Sequence, residues 1–129
     1  MSVGVIDTTV LIHIFRGSVP ARTWFASQKE KLSTTTINCL EFLYGAPNNA
    51  GMTVSVAFLE QLETLVLSAE DQEWAVQQMR MYRLSKGIFV QDCLIASVCH
   101  RLQIPIYTTN LKDMRKVLPD ALVVEPYTT

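Results

Sequence analysis

Val5-Ile6-Asp7-Thr8-Thr9-Val10-Leu11-Ile12 decides how this chain folds. A β-branched apolar run stops at an acid, and an apolar helical stretch begins directly behind it. The reading is a first strand over residues 3–6 and a first helix over 9–15 that stops near Gly17. The same alternation recurs downstream. Residues 21–29, after Pro20, suit a helix carrying Trp24 and Phe25, and 32–36 a Thr-rich strand. Residues 37–44 then read as a helix closed by Gly45 and Pro47. Apolar residues at Val56, Leu59 and Leu62 place a helix over 52–64, followed by a short strand at 65–67. Ser68 with Asp71 three residues on has the form of a capping box, opening a helix to Lys86 that Gly87 ends. An apolar helix over 92–102, strands at 104–107 and 122–124, and a helical turn over 111–117 complete the chain. Strands separated by helices predict an α/β fold, a parallel sheet covered on both faces in three α/β/α layers.

The size and composition fit one domain over residues 1–129. A chain of 129 residues that is 49% hydrophobic and 18% charged can bury an ordinary core. The opening Met-Ser-Val-Gly-Val-Ile-Asp lacks a basic region and its apolar run is broken by Asp7, so it reads as neither signal peptide nor membrane anchor. Three cysteines, Cys39, Cys93 and Cys99, show no metal-type spacing and read as reduced, buried thiols of a cytoplasmic protein. No repeat or low-complexity segment is visible.

Against this background four acids stand out. Asp7, Glu41, Asp92 and Asp113 each lie in or beside an apolar run, where an unpaired charge is costly. Glu60, Glu63, Glu70, Asp71 and Glu73 fall in polar helical stretches and need no special explanation. Sites in open parallel sheets form beyond the carboxyl ends of the strands, where the strand order reverses. Asp7 ends the first strand and Asp113 follows the fourth, so the two converge if those strands flank the reversal. Glu41 and Asp92 would reach the same place from helices. Two unit charges about 6 Å apart at an effective dielectric of about 20 repel by roughly 3 kcal/mol. Four such groups in one cleft demand a cation, and Mg²⁺ or Mn²⁺ suits carboxylate and water ligands. His13 and His100 sit on helical segments and are not needed as ligands. Such a site activates a water and shields a phosphodiester, which points to hydrolysis of a nucleic-acid strand. Taken singly, Asp7 reads equally as a helix cap, Asp92 as a first-turn acid and Asp113 as a surface turn.

The net charge of −1 predicts no nucleic-acid partner by itself, but the basic residues are unevenly placed. None occurs between Lys31 and Arg80. They gather instead at Arg80, Arg83 and Lys86 ahead of Asp92, and at Lys112, Arg115 and Lys116 around Asp113. These clusters are either solvated helix faces or contacts for substrate phosphates.

In these contexts the chain resembles the PIN-domain nucleases, and among them the VapC toxins of prokaryotic toxin-antitoxin pairs. The opening stretch is similar to the family's first motif, and Thr36-Ile37-Asn38-Cys39-Leu40-Glu41-Phe42-Leu43-Tyr44-Gly45 to its second. Gly87 followed by Asp92-Cys93-Leu94-Ile95-Ala96 resembles the third, and Thr108-Thr109-Asn110-Leu111-Lys112-Asp113 the fourth. The resemblance runs through nearly the whole chain, in order. It implies strand order 3-2-1-4-5 and a Mg²⁺-dependent endoribonuclease that leaves a 3′-hydroxyl and a 5′-phosphate on a structured cellular RNA. It also implies a homodimer inhibited by a cognate antitoxin, whose C-terminal segment wraps the toxin and can push a basic side chain into the acidic site. Carried over by position, Asp7 and Asp92 are direct metal ligands and Glu41 and Asp113 act directly or through water. Thr9, Thr108 and Asn110 support them. Met114 departs from the Phe common in the family.

The apolar faces around Trp24 and Phe25 and along residues 52–62 are either core or seats for the antitoxin or the second protomer. A receiver-like signalling module shares the length, the parallel sheet and acids at strand ends. It needs an acceptor Asp after a middle strand, where 65–67 is followed by Ser68-Ala69-Glu70. A dehalogenase-type phosphotransferase needs an acid at Thr9. A PIN-like binding domain without catalysis would have no reason to keep all four acids.

Overall fold

Val5 and Ile6 are wholly buried and belong to opposite faces of one sheet, Val5 in one apolar cluster and Ile6 in the other. That is what alternation along a central strand covered on both sides produces. The computed structural model describes residues 4–128. Five strands, β1 (Val5–Ile6), β2 (Ser33–Thr35), β3 (Glu63–Leu65), β4 (Ile106–Tyr107) and β5 (Val123–Val124), form a parallel sheet of order β3-β2-β1-β4-β5. The strand order that the family resemblance implies is the observed one. The chain runs outward from β1 to β3 and then returns to β4 on the other side, so the reversal lies between β1 and β4.

One face is covered by α1 (Thr8–Phe15), α2 (Val19–Ser27), α3 (Thr36–Tyr44) and α4 (Asn49–Leu59), the other by α5 (Ala69–Lys86) and α6 (Val90–Leu102). A short α7 (Leu111–Met114) follows β4 and seats Met114 fully inside the α5/α6 core. Trp24 and Phe25 pack half-buried against the first cluster, Trp24 beside Tyr107 and Phe25 beside Phe58, so they are core-facing. Along α4, Met52, Val54 and Val56 stay exposed. Among the described residues no helix is long and apolar enough to cross a membrane.

The elements are capped as their residues dictate. Ser68 and Asp71 form the expected capping box, and Gly87 ends α5 with φ of 67°, a left-handed conformation that costs glycine little. Asn48 caps α4, starting it before the expected residue 52. The helix then stops at Leu59, and the third strand is Glu63–Leu65 instead of 65–67. Glu63 and Thr64 are polar because β3 is an exposed edge strand, with no alternation to mark it. The first strand is seen from Val5; Val3, included in the expected strand, lies outside the described residues. Residues 32, 36, 104, 105 and 122 flank the observed strands, whose ladders are short. The cysteines are free thiols, Cys93 and Cys99 buried and Cys39 half-buried. Burial pushes the Cys99 thiol up to about 12, which keeps it protonated.

Asp71 does more than cap α5. It is 1% exposed, and its two oxygens accept from Arg101 Nε at 2.8 Å and Nη2 at 3.0 Å, tying α5 to α6. Oδ2 also accepts from the Ser68 backbone N–H at 2.9 Å. Burial alone would raise its carboxyl, but the Arg101 and Ser68 hydrogen bonds outweigh it and hold it below the usual range. Asp71→Ala should therefore cost about 2–4 kcal/mol in urea denaturation at pH 7, the cap and the buried pair going together. Because the folded carboxyl is shifted down, that advantage should fade as pH falls through the acid range, and a loss independent of pH would contradict the assignment.

Candidate active site

β1 ends on Asp7, which caps α1 and is 5% exposed. Its Oδ1 accepts from the Thr8 backbone N–H at 2.8 Å and from Asn38 Nδ2 at 3.1 Å, and its Oδ2 from the Thr108 hydroxyl at 2.7 Å. The donors come from α1, α3 and the segment after β4. The Asp7 N–H also donates to the Tyr107 carbonyl at 3.0 Å, fixing the acid at the edge between β1 and β4. Burial pushes the Asp7 carboxyl above its ordinary value, while Thr108, Thr8 and Asn38 pull the other way.

Asp92 approaches from the first turn of α6. Burial is the main cause that lifts its carboxyl to about 6, and the negative charges of Asp7, Asp113 and Glu41 add to it in that order; Lys116 opposes them. The fold thus brings Asp7, Glu41 and Asp113 within electrostatic reach of Asp92, beside the topological reversal of the sheet. Glu41 accepts from the Thr8 hydroxyl at 2.7 Å. Asp113 accepts from Asn110 Nδ2 at 3.2 Å, and Lys116 Nζ lies 3.4 Å from it. Among the described residues, no three His, Cys, Asp or Glu side chains are already close enough together to form a metal-ligating group. His13 pairs with the Tyr127 hydroxyl at 2.7 Å and His100 stacks on Trp74 at 4.8 Å, so both imidazoles are engaged with aromatic partners.

The supporting residues fall into two groups. Thr108 holds Asp7 and accepts from the Asn110 N–H at 2.9 Å, while the Thr109 hydroxyl donates to Thr9 at 3.1 Å, clasping the first and fourth motifs together. The basic residues are more dispersed than their spacing suggests. Arg83 donates to the Ile88 carbonyl at 2.8 Å and lies over the Phe89 ring, and Lys86 sits over Tyr82. Arg115 faces Asp120 at 3.9 Å, and Arg80 and Lys112 are exposed. Of the six, Lys116 is the one whose charge acts on Asp92.

Two site residues escaped the sequence reading. Asn38 is wholly buried and joins Asp7 to Thr8, its Nδ2 donating to the Thr8 hydroxyl at 3.0 Å. The available signal was Thr35-x-x-Asn38, a capping pattern in an otherwise apolar helix. Thr8, next to the expected Thr9, is the threonine that touches Glu41 and Asn38.

A raised Asp92 carboxyl makes a stability prediction. A group whose folded value is raised destabilises the fold once pH exceeds it, and below the unfolded value near 3.8 the penalty is absent. Asp92→Asn should therefore raise the melting temperature by a few degrees at pH 7, about 1–2 kcal/mol after allowing for partial solvent screening, in the absence of divalent ions. By pH 4 the gain should be gone. Equal melting temperatures at pH 7 would contradict the crowding of these acids.

The family model for the PIN domain matches residues 4–117. A Rickettsia bellii protein named Ribonuclease VapC is 24% identical over 121 residues, spanning 88% of this chain and 89% of that protein. Among solved structures, a toxin-antitoxin complex from Klebsiella pneumoniae superposes with a TM-score of 0.80 at 21% identity, covering 98% of this chain and 99% of that one. The DNA-bound VapBC structure from Salmonella typhimurium gives 0.77 at 21% identity, with 96% and 98% covered. At these identities the structural likeness establishes the fold.

Proposed function

This chain belongs to the PIN-domain family, and we propose that it is the metal-dependent endoribonuclease toxin of a VapBC-type pair, acting in the cytoplasm. The observation that carries the reading is Asp92, half-buried in the first turn of α6, with the negative charges of Asp7, Asp113 and Glu41 acting on it. Such a set ionises together only beside a cation, and an all-oxygen donor set matches Mg²⁺ or Mn²⁺. Mg²⁺ commonly takes one or two carboxylates and keeps several waters, which two direct carboxylate ligands would allow. Asp7 and Asp92 would hold the ion directly, and Glu41 and Asp113 directly or through water. When bound, it would lower the pKa of a water and shield the charge of the scissile phosphate.

The chain's own groups do the rest. Three donors fix both oxygens of Asp7, so its orientation is set before any ligand arrives. Lys116 offsets the charge of Asp113 and moderates Asp92. Exposed Arg80 and Lys112 are candidates for holding the flanking RNA backbone, with Arg83, Lys86 and Arg115 contributing less because each is already engaged. Water attack on phosphorus breaks the bond to the 3′ oxygen, which leaves protonated as a 3′-hydroxyl, and the 5′-phosphate stays on the other product.

A cognate antitoxin and a second copy of the chain complete the proposal. Support comes from the relatives, several of them solved as toxin-antitoxin complexes. Support also comes from apolar surface, with Val54 and Val56 exposed on α4 and Val76 and Val90 on the opposite face at 58% and 59%. Family membership removes the receiver and dehalogenase alternatives, and retention of all four acids argues against an inactive binding domain. Purified protein should cleave RNA with Mg²⁺ or Mn²⁺, lose the activity in excess EDTA, and lose at least about 100-fold in kcat on Asp7→Asn. Cleavage that persists in EDTA or in Asp7→Asn would refute the metal-nuclease reading.

A further inference from the structure

Glu41 occupies a helix whose neighbouring residues Cys39, Leu40, Phe42 and Leu43 give its carboxylate no strong donor, yet it is held from another element by the Thr8 hydroxyl at 2.7 Å. A threonine hydroxyl has one proton to give, and the surroundings determine where it goes. Asn38 Nδ2 donates to Thr8 Oγ1 at 3.0 Å, so that oxygen is already an acceptor and its own proton is directed to Glu41 Oε1. The orientation of Asn38 is fixed in turn. Its Oδ1 accepts from the Thr35 hydroxyl at 2.7 Å and the Thr35 N–H at 3.3 Å, while Thr35 Oγ1 accepts from the Asn38 N–H at 3.2 Å. Flipping the amide would set NH₂ against the Thr35 N–H and carbonyl oxygen against Asp7, so only one arrangement satisfies every partner.

We propose that Thr8 is a positioning residue that aims the Glu41 carboxylate into the acidic site, with Asn38 setting the direction of its hydrogen bond and linking it to Asp7. The inference rests on the nuclease reading above and adds a dependence that the four acids alone do not contain. The cap of α3 and the placement of two acids 34 positions apart are one hydrogen-bonded unit, running from Thr35 through Asn38 to Asp7 and through Thr8 to Glu41. Partners that orient metal-ligating groups commonly matter about 10- to 100-fold to metal affinity or activity.

The test uses Thr8→Val, which keeps the β-branched shape and the backbone N–H that Asp7 accepts, and Thr8→Ser, which restores the hydroxyl. Mn²⁺ binding to the purified protein is measured by electron paramagnetic resonance of the free ion, beside kcat and KM for RNA. Thr8→Val should bind Mn²⁺ about ten-fold more weakly and lose about ten-fold or more in kcat with KM little changed, and Thr8→Ser should recover most of both. In a Glu41→Gln background, adding Thr8→Val should change Mn²⁺ affinity little, because the group it aims is gone. Wild-type binding and kcat in Thr8→Val, or an equal loss in the Glu41→Gln background, would overturn the inference. Asp7→Asn separates the two levels: if it abolishes cleavage while Thr8→Val does nothing, only this inference falls, and if Asp7→Asn leaves both binding and cleavage intact, the nuclease reading and the inference fall together.

Discussion

A carboxylate with 5% of its surface exposed at the centre of a parallel sheet has to be held by something, and much of this molecule is arranged around holding Asp7. Its donors come from α1, α3 and the turn after β4, so three segments distant in sequence are tied to one side chain. The sheet order puts those segments there. Because β4 returns beside β1, Thr108 emerges next to Asp7, and α6 delivers Asp92 to the same edge. Fold and site are thus connected through one polar contact set.

The molecule treats its buried acids in two ways. Asp71 is buried and matched, both oxygens taken by Arg101, and its carboxyl is held low. Asp92 is half-buried and unmatched, with the charges of three acids acting on it and Lys116 as a partial counterweight, and its carboxyl is pushed up to about 6. The first arrangement stabilises the packing of α5 on α6. The second works against stability in the absence of a cation, which is the pattern expected of groups placed for chemistry.

Much of this was readable from the amino-acid sequence. Strand, acid and helix follow one another at residues 5–15 with a clear change of period, so the core layers and the place of Asp7 were legible. The motifs around Glu41, Asp92 and Asp113 were legible because acids in apolar settings are conspicuous. β3 was displaced because Glu63-Thr64 on an edge strand carry no hydrophobic signal. The capping role of Asp71 was legible but its pairing was not, because Arg101 lies 30 positions away and local spacing cannot show such a contact. Thr8 and Asn38 escaped for a related reason: their importance lies in which proton points where, a property of three-dimensional hydrogen bonding that composition does not carry.

The most direct test of the account is a carbon-13 titration of the side-chain carboxyls by nuclear magnetic resonance, with and without Mg²⁺. The account requires Asp92 to titrate near 6, and Asp7 above its ordinary value, in the metal-free protein. Saturating Mg²⁺ should move both midpoints down, since a cation favours the charged forms. Asp7 and Asp92 both titrating near the ordinary carboxylate value of about 4, unmoved by Mg²⁺, would contradict it.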